Sequence, residues 1–581
     1  MGVPEWTPEV GKATMIRLTT EFQAPRGLPR KTASVCPECI KVIPATVKEK
    51  EGRVVMEKTC REHGFFWDII SNDVELYLRM EQYARDGVGY ENPYYDKFVG
   101  CPHTCGMCTH HKSHTALALV DLTNRCNLKC PVCFANANAA GYVYEPSNDQ
   151  VRFMLETLRN QKPVGAVAVQ FSGGEPTLSP LFLDACNMAY ELGFTQIQVA
   201  TNGIRLANEP GFAQAARDHH LNTVYLQFDG LDDEMYRKVR GVPLLKTKQK
   251  AIEAARRTHS PPSEIAAGKS DRPLSVVLVP TLVGGYNEHQ IIPTVNFALD
   301  NLDVVRGVNF QPVALTARVP DKDRFQMRFT QSDLVRILCN DGPFEKTDFF
   351  PVPSVAPISE LISIIHGKEK MTLTTHPGCG CATFAFVDSQ KKITPLPRFM
   401  DVDGFFKNVQ QMIEEYRDAR FGRVRLALAS AKLMHAVSQY FDFEKAPEGI
   451  NEKNVVKVIA GIFSEGNKEA LAKFTWRTLY LGNMHFQDAY DYDIQRLMRC
   501  DIHYTAPDGR IIPFCSYNSG PIYRTEVEKK FSVPIPDWTK QKGDAMKIKT
   551  IDTMGINGEV IVDPEYYRIQ ALKGQPGFTK A

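Results

Sequence analysis

The stretch Cys126-Asn127-Leu128-Lys129-Cys130-Pro131-Val132-Cys133-Phe134 stands directly after an apolar run, residues 116–123, that has the composition of a buried strand. Its three cysteines are spaced as CxxxCxxC. Three thiolates at this spacing can bind three irons of a [4Fe–4S] cluster and leave the fourth iron open to a small ligand. A zinc knuckle is the alternative interpretation of the cysteines alone. The stretch therefore predicts a metal centre at the end of a strand.

Downstream of this stretch, apolar β runs alternate with segments of helical periodicity. Such alternation predicts parallel strands joined by helical crossovers, and strands that are apolar on both faces fit a buried sheet. We expect the sheet to close wholly or partly into a barrel, with functional residues at the carboxyl ends of its strands. The six predicted strands are residues 116–123, 166–171, 196–200, 223–228, 275–280 and 307–312.

Polar residues and glycines follow three of these strands. Ser172-Gly173-Gly174-Glu175-Pro176 follows the second strand, Thr201-Asn202-Gly203 the third, and Gln227-Phe228-Asp229-Gly230 the fourth. Glycines let a ligand approach the backbone closely, and the glutamate carboxylate can hold an ammonium group. The segments after the third and fourth strands can equally be ordinary turns. Because carboxyl ends of parallel strands gather on one side of a barrel, we expect one shared pocket there.

Taken together, the CxxxCxxC spacing and the Gly-Gly-Glu-Pro segment resemble the radical S-adenosylmethionine (SAM) superfamily over residues 115–315. The resemblance implies a partial (β/α)6 barrel in which SAM binds the open iron through its amino and carboxylate groups. One electron would cleave SAM to a 5′-deoxyadenosyl radical, which takes a hydrogen atom from the substrate. The same resemblance implies catalytic cluster ligands at Cys126, Cys130 and Cys133, contacts to the methionine part of SAM at Gly173, Gly174 and Glu175, and a SAM or substrate pocket lined by Thr201, Asn202, Gln227 and Asp229.

The chain has 15 cysteines, and the order of their motifs carries a closer resemblance. The order CPEC, CxxHG, CPxxCGxC, the radical SAM motif, GCGC and CxxHYxxPDGRxxPFC is similar to the archaeal-centred class D radical SAM methyltransferases and to the tetraether lipid synthases. That resemblance implies SAM, one SAM-binding and two auxiliary [4Fe–4S] clusters, and a mononuclear iron or zinc in a rubredoxin-like site of four cysteines. The expected metal ligands outside the radical SAM motif are Cys36, Cys39, Cys60, Cys101, Cys105, Cys108, Cys379, Cys381, Cys500 and Cys515.

The assignment of the N-terminal cysteines to metal centres has two solutions. Two CxxC knuckles, at residues 36–39 and 105–108, would form a rubredoxin-type tetrahedral site. In the competing solution, the first knuckle joins Cys60 and either His63 or another cysteine, as in a zinc ribbon. The sequence leaves both open.

The C-terminal cysteines form a natural set of four for one auxiliary cluster. Cys60 and Cys101 are then left for the other cluster, with ligands that the sequence does not name. Cys186 and Cys339 lie in segments of helical periodicity, where we expect them to be core residues. The set of four is Cys379, Cys381, Cys500 and Cys515.

The full cysteine order favours a tetraether-type lipid synthase as the main functional hypothesis. Joining two unactivated terminal carbons of lipid chains requires removal of hydrogen atoms from strong C–H bonds, and an auxiliary cluster offers a place to hold the first carbon radical. The alternative is a radical SAM methyltransferase that acts on a pterin or another heterocycle, with two SAM equivalents or one SAM and another methylene donor. A mere electron carrier fits poorly, because it has no use for a SAM pocket.

Length and composition indicate a globular protein of several domains. The 581 residues are 43% hydrophobic and 23% charged, close to the globular average. The predicted fold class is α/β. We divide the chain into an N-terminal cysteine-rich metal module at residues 1–112, the partial radical SAM barrel at 113–320 and a C-terminal helical auxiliary-cluster domain at 321–581.

Charge and hydropathy limit the partners. The net charge of +2 gives no reason to expect nucleic acid, and neither a membrane-spanning run nor a signal peptide is visible. We expect a cytoplasmic protein, because reduced thiols there remain free for metals. The resemblance implies a lipid substrate of archaeol or other long-chain type and a small electron donor such as ferredoxin or flavodoxin. A basic amphipathic segment at residues 417–432 would allow peripheral contact with anionic lipid, unless it is simply a solvated face.

Overall fold

The computed structural model describes residues 25–95, 100–138, 140–266, 270–316, 323–417, 431–432, 435–465, 478–542, 548–551 and 557–560. The basic segment that was expected to contact lipid falls mostly at residues 418–430, outside the described ranges. The strands are β1 (Arg30–Val35), β2 (Val42–Lys50), β3 (Arg53–Cys60), β4 (Gly64–Ser71), β5 (Leu117–Thr123), β6 (Tyr142–Tyr144), β7 (Ala168–Gly173), β8 (Gln196–Thr201), β9 (Thr223–Gln227), β10 (Ser275–Val279), β11 (Thr281–Leu282), β12 (Val305–Pro312), β13 (Phe350–Pro351), β14 (Cys381–Val387), β15 (Ile393–Pro395), β16 (Thr478–Asn483), β17 (Ile502–Thr505), β18 (Ile511–Pro513), β19 (Ser532–Pro534), β20 (Ile548–Ile551) and β21 (Asn557–Val560).

Helices connect most of these strands. They are α1 (Val74–Glu81), α2 (Asn148–Arg159), α3 (Phe182–Glu191), α4 (Ile204–Asn208), α5 (Phe212–Asp218), α6 (Asp233–Arg240), α7 (Leu245–Arg256), α8 (Pro262–Ala266), α9 (Ile291–Asp300), α10 (Arg324–Met327), α11 (Gln331–Asp341), α12 (Ala356–His366), α13 (Val402–Arg417), α14 (Glu452–Glu465), α15 (Ile494–Leu497), α16 (Phe514–Asn518), α17 (Tyr523–Phe531) and α18 (Ile535–Lys542).

The N-terminal module is a four-stranded antiparallel sheet in the order β1-β2-β3-β4. The β1–β2 connection is a tight knuckle, in which Lys41 O accepts a hydrogen bond from Cys36 N at 2.9 Å. The turn from β3 to β4 holds Cys60 and His63. The antiparallel pairing therefore brings two metal-binding turns to the same end of the sheet.

The six predicted strands are confirmed as parallel neighbours in the order β5-β7-β8-β9-β10-β12. The crossover helices bury one apolar face on this sheet. In α2, for example, Ser147 and Gln150 form a capping box, and Val151, Met154, Leu155 and Leu158 are buried at helical spacing. The core lies between the sheet and these helices, as the predicted α/β fold requires.

Residues far along the chain extend the sheet at both edges. Strand β16 pairs parallel to β12, and β17 pairs parallel to β5. The residue pattern at 450–482 has a helical period and predicts helix, which is wrong from Thr478, because Thr478–Asn483 is a sheet strand. The turn dipeptide Asp508-Gly509 predicts a hairpin between Cys500 and Cys515, which is confirmed, since β17 and β18 are antiparallel. The division of the chain at residue 320 stays a prediction. The C-terminal strands β16 and β17 belong to the same sheet as the barrel strands.

No helix in the part of the chain that the structure describes is both long and apolar enough to cross a bilayer.

Candidate active site

A cavity of about 280 Å³ opens at the carboxyl ends of the parallel strands. This is the side of the barrel at which the sequence predicts the site. Asp229 is the predicted pocket residue that does not line the cavity. The predicted residues that line it are Cys126, Cys130, Cys133, Gly173, Gly174, Glu175, Thr201, Asn202 and Gln227.

The loop that carries the CxxxCxxC motif is held by an asparagine that the sequence did not reveal. Asn138 Oδ1 accepts a hydrogen bond from Cys126 N at 2.9 Å, and Asn138 Nδ2 donates to Cys126 O at 2.7 Å and to Leu128 O at 3.2 Å. Asn138 itself has a positive φ of 63°, a conformation that asparagine tolerates better than most residues. The signal that the sequence offers is an asparagine a few residues beyond the motif, because this residue type is suited to a turn of positive φ.

The two glycines of the Gly-Gly-Glu-Pro segment make room for the cysteine loop. A Cβ on Gly173 would lie 2.1 Å from Thr123 O, and a Cβ on Gly174 would lie 2.3 Å from Arg125 O. Both distances are far below van der Waals contact. The absence of a side chain therefore serves the packing of β7 against the chain that leads into Cys126, besides opening the cavity to a ligand.

Glu175 organises the ends of two strands. Its Oε1 accepts hydrogen bonds from Thr177 Oγ1 at 2.6 Å and from Thr201 Oγ1 at 2.7 Å, and its Oε2 accepts from Asn202 N at 2.8 Å. Burial raises the pKa of the Glu175 carboxyl. These bonds join the end of β7 to the end of β8. The prediction that Glu175 holds an ammonium group stays a prediction.

Asp229 lies behind the cavity, not at its surface. The residue is fully buried, and the guanidinium of Arg240 donates to both Asp229 oxygens at 2.7 Å. Arg240 lines the cavity. Burial raises the pKa of Cys130, whereas the adjacent Arg240 guanidinium lowers it. Asp229 thus orients a cation beside the thiols. No sequence pattern indicates this role, because Arg240 resembles any basic residue at a helix end.

Lys248 is a second buried cation that the sequence analysis missed. Its ammonium donates to Asn202 O at 2.6 Å and to Gln227 Oε1 at 2.8 Å. Burial lowers its pKa to about 7. The side chain reaches from α7 to the ends of β8 and β9, so it holds those two strand ends together under the cavity.

Four aromatic residues form an aromatic wall in one part of the cavity lining. The rings of Phe486 and Phe514 stack with centroids 3.7 Å apart and planes at 18°, and Phe134 and Tyr504 each lie 5.5 Å from the Phe514 ring. All four residues line the cavity. They line the same cavity as the cysteines of the radical SAM motif.

The C-terminal cysteines separate into a set of three and one outlier. Burial and, to a smaller extent, the nearby Cys379 thiol raise the pKa of Cys515 to about 12. Burial and the neighbouring Cys515 likewise raise the pKa of Cys500. Cys381 was expected in this set, but it packs in the main hydrophobic core, and, besides burial, the charge that perturbs its pKa is that of Arg79 and not that of another cysteine. Cys515 also lines the large cavity.

Cys101, Cys105 and Cys108 form a third set. They line one small cavity together with His110 and His111. Burial raises the pKa of Cys105 to about 12. This set and the other two each have three thiols, the number that a site-differentiated cluster requires. The structure thus pairs Cys101 with its CxxC neighbours and not with Cys60.

The mononuclear site takes the zinc-ribbon form. The ligand atoms of Cys36, Cys39, Cys60 and His63 all lie within 4.8 Å of one another, with Cys39 Sγ 3.9 Å from Cys60 Sγ. Two sulfurs bound to one tetrahedral ion at about 2.3 Å lie about 3.8 Å apart. The backbone N–H of Glu62 and the His63 ring lower the pKa of Cys60 to about 6.

The predicted rubredoxin-like site of four cysteines is therefore wrong. Its second knuckle would have been Cys105 and Cys108, which belong to a different set. Histidine takes the fourth position instead. The two core cysteines behave as predicted, since Cys186 is buried in α3 and Cys339 packs against the same core.

Two known families match the chain. The radical SAM superfamily matches residues 120–298, and the HMPTM N-terminal zinc ribbon domain matches residues 28–72. These regions coincide with the barrel and with the β1–β4 module.

Individual relatives span different parts of the chain. The 7,8-dihydro-6-hydroxymethylpterin dimethyltransferase of Methanocaldococcus jannaschii is 42% identical over 514 residues, which cover 88% of this chain and 97% of that protein. GTP 3′,8-cyclase of a Nostoc species is 26% identical over 201 residues, 33% of this chain and 56% of that enzyme. The crystal structure of Streptococcus suis SuiB bound to precursor peptide SuiA is 14% identical, with a TM-score of 0.29 over 52% of this chain and 68% of that one.

The match over nearly the whole chain corrects the main functional hypothesis. A tetraether lipid synthase was expected from the cysteine order, whereas the relative that matches end to end is a pterin dimethyltransferase. The cysteine order resembled both groups and therefore did not separate them. The chain belongs to the radical SAM family that includes the 7,8-dihydro-6-hydroxymethylpterin dimethyltransferase of Methanocaldococcus jannaschii.

Proposed function

We propose that this protein is a radical SAM methyltransferase whose substrate is a reduced pterin of the 6-hydroxymethyl-7,8-dihydropterin type. The observation that carries the proposal is the 42% identity, over 88% of the chain, to a pterin dimethyltransferase. The lining of the cavity supports it, because the thiols of the radical SAM motif and a group of aromatic rings line the same space.

The cysteine side of the cavity fits a [4Fe–4S] cluster and SAM. The thiols of Cys126, Cys130 and Cys133 line it, and Arg240 places a positive charge beside them, which favours thiolates. When bound, this cofactor pair supplies the 5′-deoxyadenosyl radical chemistry of the superfamily. The task of Asn138, Glu175 and Lys248 is to fix the loop and strand ends that face it.

The aromatic side of the cavity suits a planar heterocycle. Aromatic rings prefer offset stacking or edge-to-face contacts with other flat π-systems. Phe486 and Phe514 are already stacked, and Phe134, with 41% of its surface exposed, stands at the rim. A pterin that slides between this wall and the cysteine loop would be desolvated and held near the radical source.

The remaining cysteines would hold the other metals. We assign one auxiliary cluster to Cys379, Cys500 and Cys515 and another to the Cys101 set. The first set touches the substrate cavity through Cys515. The ribbon set would hold zinc or iron, and a small ferredoxin or flavodoxin would deliver electrons.

The test is anaerobic turnover of the reconstituted holoenzyme with SAM, reductant and 6-hydroxymethyl-7,8-dihydropterin, followed by mass spectrometry. We expect 5′-deoxyadenosine together with a pterin that has gained CH₂ once or twice. Deoxyadenosine without any methylated pterin would refute the substrate.

Two single cysteine variants supply a matched comparison. Cys126→Ala should abolish deoxyadenosine formation, because it removes one of three cluster ligands. Cys186→Ala changes a buried core cysteine outside every metal set and should retain turnover. Equal loss in both variants would mean that the cysteines act only through stability.

A further inference from the structure

Asn309 places an unsatisfied carboxamide in the wall of the active-site cavity. The residue lies on β12, lines the cavity and is 7% exposed. Its Oδ1 has no hydrogen-bond partner among the residues that the structure describes. Buried acceptors are nearly always paired in folded proteins, so an unpaired one calls for an explanation.

Other amides around the cavity already bond to the protein. Gln170 Oε1 accepts from Gln198 Nε2 at 2.9 Å, and Gln227 Oε1 accepts from Lys248 Nζ at 2.8 Å. These side chains maintain the strands. The Oδ1 of Asn309 accepts no such bond within the described chain, and a ligand in the cavity would supply its missing donor.

Asn309 and the aromatic wall line the same cavity, although their strands are far apart in the sheet. In the sheet, β10, β9, β8, β7 and β5 lie between β12 and β17, yet Asn309 of β12 and Tyr504 of β17 line the same space. The sheet must therefore curl around the cavity. A flat ring that stacks on the aromatic wall would present its edge to the strands that line the rest of the cavity, and β12 with Asn309 is one of them.

We propose that Asn309 is a specificity-determining residue that binds the lactam edge of the pterin ring, an inference that rests on the proposed function. A lactam presents an N–H donor beside a C=O acceptor, and a carboxamide offers the complementary acceptor and donor. Asparagine makes such two-bond pairs with the edges of nucleobases. Asn309 selects for that edge, and the aromatic wall selects for ring shape.

The experiment measures Kd by equilibrium dialysis with the SAM-loaded holoenzyme under anaerobic conditions. The two probes are 6-hydroxymethyl-7,8-dihydropterin and its N3-methyl derivative, which lacks the lactam N–H. We expect the wild-type protein to bind the unmodified pterin about ten-fold more tightly, because an analogue that leaves a buried polar group unpaired is rejected. Equal Kd values for the two probes in the wild-type protein would overturn the inference without any variant.

Two variants add a second readout. Asn309→Leu should weaken pterin binding about ten-fold, remove most of the discrimination between probes, and leave the Kd of SAM unchanged. Asn208→Leu, at the exposed end of α4, should change neither value. Retained discrimination in Asn309→Leu would overturn the inference. If the wild-type protein binds neither probe, the proposed function fails, and the inference fails with it.

Discussion

Asn138 binds Cys126 through both backbone polar atoms of the cysteine, at 2.9 Å to its N–H and 2.7 Å to its carbonyl oxygen. Twelve residues separate the two in sequence. The first cluster ligand therefore depends for its orientation on a side chain outside the cysteine motif. Asn138 is 8% exposed, so water does not replace these bonds easily.

Removal of the Asn138 side chain should loosen the cluster loop. Asn138→Gly tolerates the positive φ but leaves both Cys126 groups unpaired, at a cost of about 2 kcal/mol. We expect a weaker SAM-dependent change in the electron paramagnetic resonance spectrum of the reduced cluster. Asn208→Gly is the matched control at an exposed site, and an unchanged spectrum in Asn138→Gly would contradict the assignment.

The Arg240–Asp229 pair should matter far more for stability than a surface pair on the same helix. Arg240→Gln leaves a fully buried carboxylate without its cation, which costs about 3 to 5 kcal/mol. Lys238→Gln breaks an exposed pair with Glu234 and should cost less than about 1 kcal/mol. Thermal unfolding of the holoenzyme measures both. The double variant Arg240→Gln with Asp229→Asn should recover part of the loss; no recovery would mean that Arg240 acts apart from Asp229.

Alanine variants at Cys515 and at Cys381 should differ in the iron content of the reconstituted protein. Cys515→Ala should lose about four irons per chain after reconstitution, because one cluster lacks a ligand. Cys381→Ala should retain the full content, since Cys381 lies in the hydrophobic core. Iron and sulfide analysis decides the matter. Loss of iron in Cys381→Ala in a folded protein would restore the original set of four.

Glu528 should make stability fall as pH rises. Burial raises its pKa to about 7 from an ordinary 4.5, so the folded state binds more protons than the unfolded state between these values. Stability is complete below about pH 4.5 and declines by up to about 3 kcal/mol as pH passes 7. The melting temperature of the wild-type protein relative to Glu528→Gln should therefore fall from pH 5 to pH 8. A constant difference would show that Arg524, 3.2 Å away, fully offsets burial.

Much of the fold and part of the site were predictable from local patterns. Strand alternation predicted the six parallel strands, and the CxxxCxxC spacing predicted the cluster loop, because both patterns act over short stretches of chain. The strand β16 was mistaken for helix, since a short apolar run of this kind has no decisive period. Arg240 and Lys248 looked like ordinary helix residues, because their partners come from other strands.

The sequence by itself determined the superfamily, the six parallel strands of the barrel and the identity of the central thiols. Only the tertiary structure decided how the other cysteines divide into sets, that His63 completes the ribbon site, and that Asn138, Arg240 and Asn309 belong to the active site. Motif spacing constrains ligands that are neighbours in the chain. Cys379 and Cys515, or Asn309 and Tyr504, are far apart in the chain, so no motif spacing constrains them. The packing of the whole sheet brings them together.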